Sequence, residues 1–185
     1  TTIVTKNFCI GEASVCVMAR VAGADVIPVD IGVAQDVTEP GLRVHKIAYG
    51  TADITQGPAM TREQAADAIL YGMNLVKELK EEGYRLIATG EMGIGNTTTS
   101  SALLSVLLHR PVEEMTGRGA GLSSEGLKRK IDAIHRAIEV NQPDPDDPLD
   151  TLHKVGGLDI AGLVGVFLGG AHYHLPIVID GVISG

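Results

Sequence analysis

Apolar residues recur along this chain in two rhythms, one helical and one strand-like. From Glu12 to Ala22, Val15, Met18, Ala19 and Ala22 fall on one side of a helix that Gly23 ends. Thr61-Arg-Glu-Gln64 has the spacing of a capping box. The helix it opens turns Ala65, Ala68, Ile69, Gly72, Val76 and Leu79 inward and ends at Gly83. Another helix spans Thr97–His109, and Ser123 or Ser124 caps a further one with Leu127, Ile131, Ile134 and Ile138 facing inward. After a short helix to Val155, a glycine- and alanine-rich helix runs to Ala171, and its Ala161, Gly162, Gly165, Gly169 and Gly170 permit close backbone approach. The strand-like runs lie between these helices. Asp25–Val33 is interrupted by Pro28, which predicts an edge or irregular strand. Val44–Ala48 predicts a short strand, Leu86-Ile87-Ala88 a buried parallel one, Pro111–Met115 a weaker one, and Ile177-Val178-Ile179 the last. Strands alternating with helices predict an α/β fold. The expected architecture is a parallel sheet that includes Leu86–Thr89 and Ile177–Asp180, with helices on both faces.

The stretch Arg85–Ser101 carries the chemistry. Gly90, Gly93 and Gly95 follow the strand and let the backbone turn and approach a ligand, and Asn96 with three threonines begins the next helix. Free N–H groups and the helix dipole at such a start favour an anion, and phosphate is the anion this arrangement predicts. The loop is neither a Walker A sequence, since no Gly-Lys-Ser/Thr closes it, nor G-x-G-x-x-G. Glu91 would repel a phosphate but can accept hydrogen bonds from sugar hydroxyls, so a phosphate attached to a sugar explains the loop better than a capped turn does. Thr116–Gly121 is a second glycine turn, either another anion or ribose contact, through Arg118, or simply a flexible turn. Lys128, Arg129 and Lys130 sit at the positive end of the following helix, where solvation or a nearby anion would offset the cost, and Lys130 is the one expected to reach an anion. Asn141–Pro148 reads as an extended, proline-punctuated loop. His172 and His174 lack a carboxylate or thiolate set nearby in sequence, so they read as loop polarity and no metal or cofactor is expected. Asp180-Gly181 closes the last strand, where parallel α/β folds hold ligand contacts.

Length and composition narrow the classes. One domain over 1–185 is the expectation for 185 residues. A net charge of −8 argues against a nucleic-acid surface, and no apolar run reaches membrane length. Cys9 and Cys16, seven apart, would be separated by about 10 Å along one helix, too far to bridge. A reduced, cytoplasmic chain follows from that reading. The start at Thr1 without methionine, and the end at Gly185 straight after a strand, lead to the expectation of a fragment of a longer chain.

Gly90-Glu-Met-Gly-Ile-Gly-Asn-Thr-Thr98 resembles the signature of the nicotinate-nucleotide–dimethylbenzimidazole phosphoribosyltransferase family. Gln56-Gly-Pro-Ala-Met60, Asn141–Asp150, Lys154-Val-Gly-Gly-Leu-Asp159 and Asp180-Gly181 agree in order and spacing, so the resemblance covers essentially the whole chain. It implies transfer of the phosphoribosyl group of nicotinate mononucleotide to a benzimidazole-type base, giving nicotinate and the α-linked nucleotide of the cobalamin lower ligand. It also implies a Rossmann-like large domain, a small helical domain built from both chain ends, and a homodimer. Carried over residue by residue, Glu91 and Gly93 match positions at the ribose and phosphate, and Met92 between them is a further expected substrate-binding residue. Asn96, Thr97 and Thr98 match the phosphate-facing helix start, Gly119 the second loop and Lys130 its cation, with Asp159 and Asp180 at further motif positions. No catalytic residue is expected within the chain, because the family's general base, a glutamate, lies beyond Gly185 and much of its aromatic-base pocket before Thr1. The alternative is a non-catalytic nucleotide- or phosphate-binding module without that base. A phosphatase or kinase fits poorly, since no nucleophile, metal set or Walker lysine accompanies the loop.

Overall fold

The computed structural model describes residues 1–185. Its chain forms two compact units, Thr1–Gly50 and Thr51–Gly185.

The first unit contains α1 (Thr2–Cys9), α2 (Ser14–Ala22), β1 (Val29–Asp30) and β2 (Arg43–Val44). The α2 helix ends at Gly23 in the left-handed conformation, as its sequence predicts. Its expected inner face is wrong: Val15 and Met18 are exposed and Cys16 is buried instead. The Cys16 side is the one that meets the end of α1, with Sγ 3.5 Å from the Phe8 carbonyl. Cys9 and Cys16 therefore lie on two helices rather than one, and both are free thiols. Burial, with the Glu39 carboxylate and Cys16 adding to it, pushes the Cys9 thiol up. Pro28 confines β1 to two residues, which pair in parallel with β2. Fully buried Asp30 then closes the turn, accepting from the N–H groups of Gly32 (3.1 Å) and Val33 (2.8 Å) and from Lys46 Nζ (2.7 Å).

The second unit comprises α3 (Arg62–Glu81), β3 (Ile87–Ala88), α4 (Thr97–Leu107), α5 (Val112–Met115), α6 (Ser124–Asn141), α7 (Pro148–Val155), α8 (Leu158–Tyr173) and β4 (Ile177–Val178). The expected α/β architecture with parallel pairing is present, and Ile87 pairs with Ile177 and Ala88 with Val178. The strand foreseen as buried is open to one side, with Leu86 58% and Ile179 60% exposed, because this ladder is only two strands wide. Pro111–Met115 is a helical turn, not a strand: Pro111 sits at the N-cap, Glu113 and Glu114 favour the positive end, and Arg110 pairs with Glu114.

The packing of α3 against α8 is the core of this unit. The Thr61–Gln64 capping box starts α3, and Ala65, Ala68, Gly72, Val76 and Leu79 are buried along it. A Cβ on Gly72 would lie 2.1 Å from the Gly162 carbonyl oxygen, and one on Gly165 would lie 2.0 Å from that of Ile69. The two backbones touch, and only glycine fits at either point.

Three of the sequence blocks fasten the junction between α7 and α8. The N–H groups of Ala59 and Met60 donate to the carbonyls of Lys154 (2.9 Å) and His153 (3.0 Å). Buried Asn141 donates to the Ile54 carbonyl at 2.7 Å. Asp147 caps α7, accepting from Leu149 and Asp150, and pairs with Arg62 at 2.8 Å. The loop foreseen as extended is thus a set of caps. Burial alone would raise the Asp150 carboxyl, but the Lys154 ammonium, the Asp144 N–H and His153 more than offset it and bring it to about 2.

Two outcomes follow. Gly165→Ala should destabilise the fold by about 2–4 kcal/mol in urea denaturation, through overpacking at backbone contact. Gly57→Ala, where a Cβ meets nothing within 4 Å, should leave the midpoint nearly unchanged. The Asp150 carboxyl is lower in the folded chain than its ordinary 3.8, so its contribution is present above pH 4 and is lost as pH falls toward 2. Asp150→Asn should cost about 1–2 kcal/mol at pH 7 and flatten the dependence of stability on pH between those limits.

Candidate functional site

The site is built where the loop after β3 enters α4. Gly93 (φ 76°) and Gly95 (φ 88°) adopt the left-handed backbone that the turn requires. Gly90 has neither a positive φ nor a close neighbour. The helix begins at Asn96, which is buried, yet the Asn96 side chain caps none of the first-turn N–H groups. Those groups keep their outward dipole for an anion. The Asn96 amide donates instead to Glu91 Oε2 (2.7 Å) and Asp159 Oδ2 (2.8 Å), and Glu91 Oε2 also accepts from the Gly93 N–H. That last bond takes up the Gly93 N–H, which is therefore not free for a phosphate.

Opposite the helix start stands Lys130. It is 8% exposed, the one member of the Lys128–Lys130 run that turns inward, and it donates to Thr97 Oγ1 (3.0 Å) and the Gly117 carbonyl (3.1 Å). No carboxylate lies within ion-pair distance of it. Burial pushes the Lys130 ammonium below the ordinary lysine range. An enclosed cation without a counter-ion is costly, and a bound anion would remove that cost. Gly119 (φ 56°) brings the second glycine turn against this pair, and a Cβ there would meet Thr97 Oγ1 at 2.9 Å.

The structure thus gathers Glu91, Met92, Gly93, Asn96, Thr97, Thr98, Gly119, Lys130 and Asp159 around one helix start, with Met92 and Thr98 half-buried. No side-chain hydrogen bond joins Asp180 to this group. Asp180 is exposed two residues past Val178, at the same end of the ladder as Gly90, and its carbonyl accepts from Ser184. Arg118, a candidate anion contact in the sequence, turns to its own loop, donating to the Leu122 carbonyl and Ser124 Oγ. Two contributors escaped sequence reasoning. Gly117 supplies the carbonyl that holds Lys130, and Gly157 lacks a Cβ where one would lie 2.7 Å from Asp159 Oδ1. The Gly156-Gly157 doublet was the only available signal for the second.

Comparison with known proteins decides the family. The family described as Phosphoribosyltransferase (DBI_PRT) has a model that matches residues 1–185. The nicotinate-nucleotide–dimethylbenzimidazole phosphoribosyltransferase of Ruminiclostridium cellulolyticum is 53% identical over 184 residues, 100% of this chain and 52% of that protein. This chain belongs to that phosphoribosyltransferase family. The enzyme of the same name from Clostridium acetobutylicum is 52% identical over the same share. The crystal structure of CobT from Thermus thermophilus superposes with a TM-score of 0.91 at 39% identity, covering 100% of this chain and 56% of that one. The chain spans about half the length of the family members it matches.

If Lys130 balances a bound anion, inorganic phosphate should raise the melting temperature of the chain and Lys130→Met should abolish most of that rise, weakening phosphate at least tenfold. An equal rise in both proteins, read by calorimetry, would place the anion elsewhere.

Proposed function

We propose that this chain supplies the phosphoribosyl-binding part of an enzyme that moves the phosphoribosyl group of nicotinate mononucleotide to 5,6-dimethylbenzimidazole or a related base. The products are nicotinate and the α-ribazole phosphate of the cobalamin lower ligand. The observation that carries this reading is the pairing of a buried, counter-ion-free Lys130 ammonium with the tied Glu91 carboxylate across a single helix start. The cation and the first-turn N–H groups of α4 suit a phosphate. A carboxylate beside them suits the hydroxyls of an attached sugar. Thr97, Thr98 and Gly119 surround the phosphate, Glu91, Met92 and Gly93 lie at the ribose, and Asp180 is available at the mouth of the ladder.

In the reaction so read, the incoming ring nitrogen forms a bond to C1′ from the face opposite nicotinate. The bond from C1′ to the nicotinate nitrogen breaks, and its electron pair neutralises the pyridinium as nicotinate leaves. The proton on the accepting base goes to a general base, which the family resemblance puts beyond Gly185. Residues of this chain do the holding: a phosphoribosyl group fixed at both phosphate and ribose presents C1′ in one orientation, an effect worth several kcal/mol. In this reading residues 1–185 are the Rossmann-like part of a longer, homodimeric, cytoplasmic enzyme that needs neither metal nor cofactor.

Nicotinate mononucleotide should shift the amide signals of Gly93, Thr97 and Thr98, and Gly93→Val should abolish the shifts. The chain assayed alone with nicotinate mononucleotide and dimethylbenzimidazole should bind but turn over at least roughly 10²–10⁴-fold more slowly than a full-length family member, the usual cost of losing a positioned base. Formation of the α-nucleotide at the full-length rate would contradict this and promote Glu91 to the base. Shifts confined to the region of His172 and His174 would contradict the site.

A further inference from the structure

Asn96 is at an N-cap, where an asparagine side chain ordinarily accepts from the first-turn N–H groups. Here both of its amide protons are committed elsewhere, to Glu91 Oε2 at 2.7 Å and Asp159 Oδ2 at 2.8 Å. An amide has two such protons, so neither is left over. Reversing the amide would turn Oδ1 onto two carboxylate oxygens, so the acceptors fix its orientation. In that orientation Oδ1 is buried without a partner, a penalty that the tie to the two carboxylates must outweigh.

The consequence falls on Glu91. Both of its protein hydrogen bonds, from Gly93 N–H and Asn96 Nδ2, reach Oε2. Oε1 is the oxygen left to accept from a ligand hydroxyl. Asp159, by contrast, has Oδ2 committed to Asn96, and its Oδ1 lies over Gly157, where an added Cβ would come within 2.7 Å. Asp159 is the second residue of α8, a helix held rigidly against α3 through Gly162 and Gly165. Glu91 is in a loop. The rigid helix therefore anchors the loop carboxylate through one amide.

We infer that Asp159 is a positioning residue: it does not touch the ligand, but aims Glu91 at the ribose through the Asn96 amide. The inference rests on the phosphoribosyl reading of the site, and it assigns to Asp159 a role other than the substrate contact expected from its motif position. It predicts that losing Asp159 harms recognition of the sugar and spares recognition of phosphate.

The test uses the 185-residue chain, with two ligands and one signal that needs no ligand. Asp159→Ala should displace the Gly93 amide resonance, because its acceptor moves. It should weaken nicotinate mononucleotide about tenfold while inorganic phosphate stays within twofold. Asp159→Asn keeps an acceptor oxygen for Asn96 and should restore most of the lost affinity. Gly157→Ala, which crowds Asp159 without removing it, should reproduce the Asp159→Ala pattern. Glu91→Ala combined with Asp159→Ala should bind the nucleotide no more weakly than Glu91→Ala alone. An unmoved Gly93 signal, additive losses in the double variant, or equal losses for nucleotide and phosphate would overturn the inference. A wild-type chain that takes phosphate but not the nucleotide, with Gly93 still displaced in Asp159→Ala, would refute the ribose reading and leave the link from Asp159 to Glu91 standing.

Discussion

Backbone contact between α3 and α8 is the constraint from which the rest of the second unit follows. Gly72 meets Gly162, and Gly165 meets Ile69, at separations that exclude any side chain. Two helices locked at that distance cannot slide by a residue without collision. The lock sets where α8 begins, and its first turn carries Asp159. Hydrogen bonds from Ala59 and Met60 to the end of α7, and the caps within Asn141–Pro148, hold the segment just before it. A site residue is thus placed by helix packing that begins about one turn further along the same helix.

At the site, charge is arranged in two separated halves. Lys130 is enclosed with hydroxyl and carbonyl oxygens and no carboxylate, whereas Glu91 and Asp159 share the amide of Asn96. Had either carboxylate reached Lys130, the ion pair would have satisfied the cation and blunted its attraction for an anion. Asn96 and Thr97, neighbours in the chain, serve the two halves one each. A ligand with both an anionic end and a hydroxyl-bearing end matches this layout, and a free phosphate matches only one part of it.

Much of this was legible in the sequence, where local rules decide. The capping box at Thr61–Gln64, the glycine stop after Ala22, the small-residue face of α8 and the parallel partners Leu86–Thr89 and Ile177–Asp180 all read correctly, since each depends on spacing or residue size. Lys130 could be singled out because a cation at a helix start is locally unfavourable. Non-local geometry was not legible. Nothing between Asn96 and Asp159, 63 positions apart, announces that they meet. Pro111–Met115 misled because a five-residue segment is too short for its apolar pattern to tell a strand from one helical turn, and the proline cap decided it. Val15 and Met18 form a proper helical stripe, but the side of α2 that is buried is the one meeting Phe8.

The most direct measurement of the central claim is a crystal structure of the chain with nicotinate mononucleotide bound. The account predicts the phosphate within hydrogen-bond distance of Lys130 Nζ and the first-turn N–H groups of α4, and a ribose hydroxyl on Glu91 Oε1. A phosphate seated away from Lys130, or a nucleotide turned so that its ribose faces away from Glu91, would contradict it.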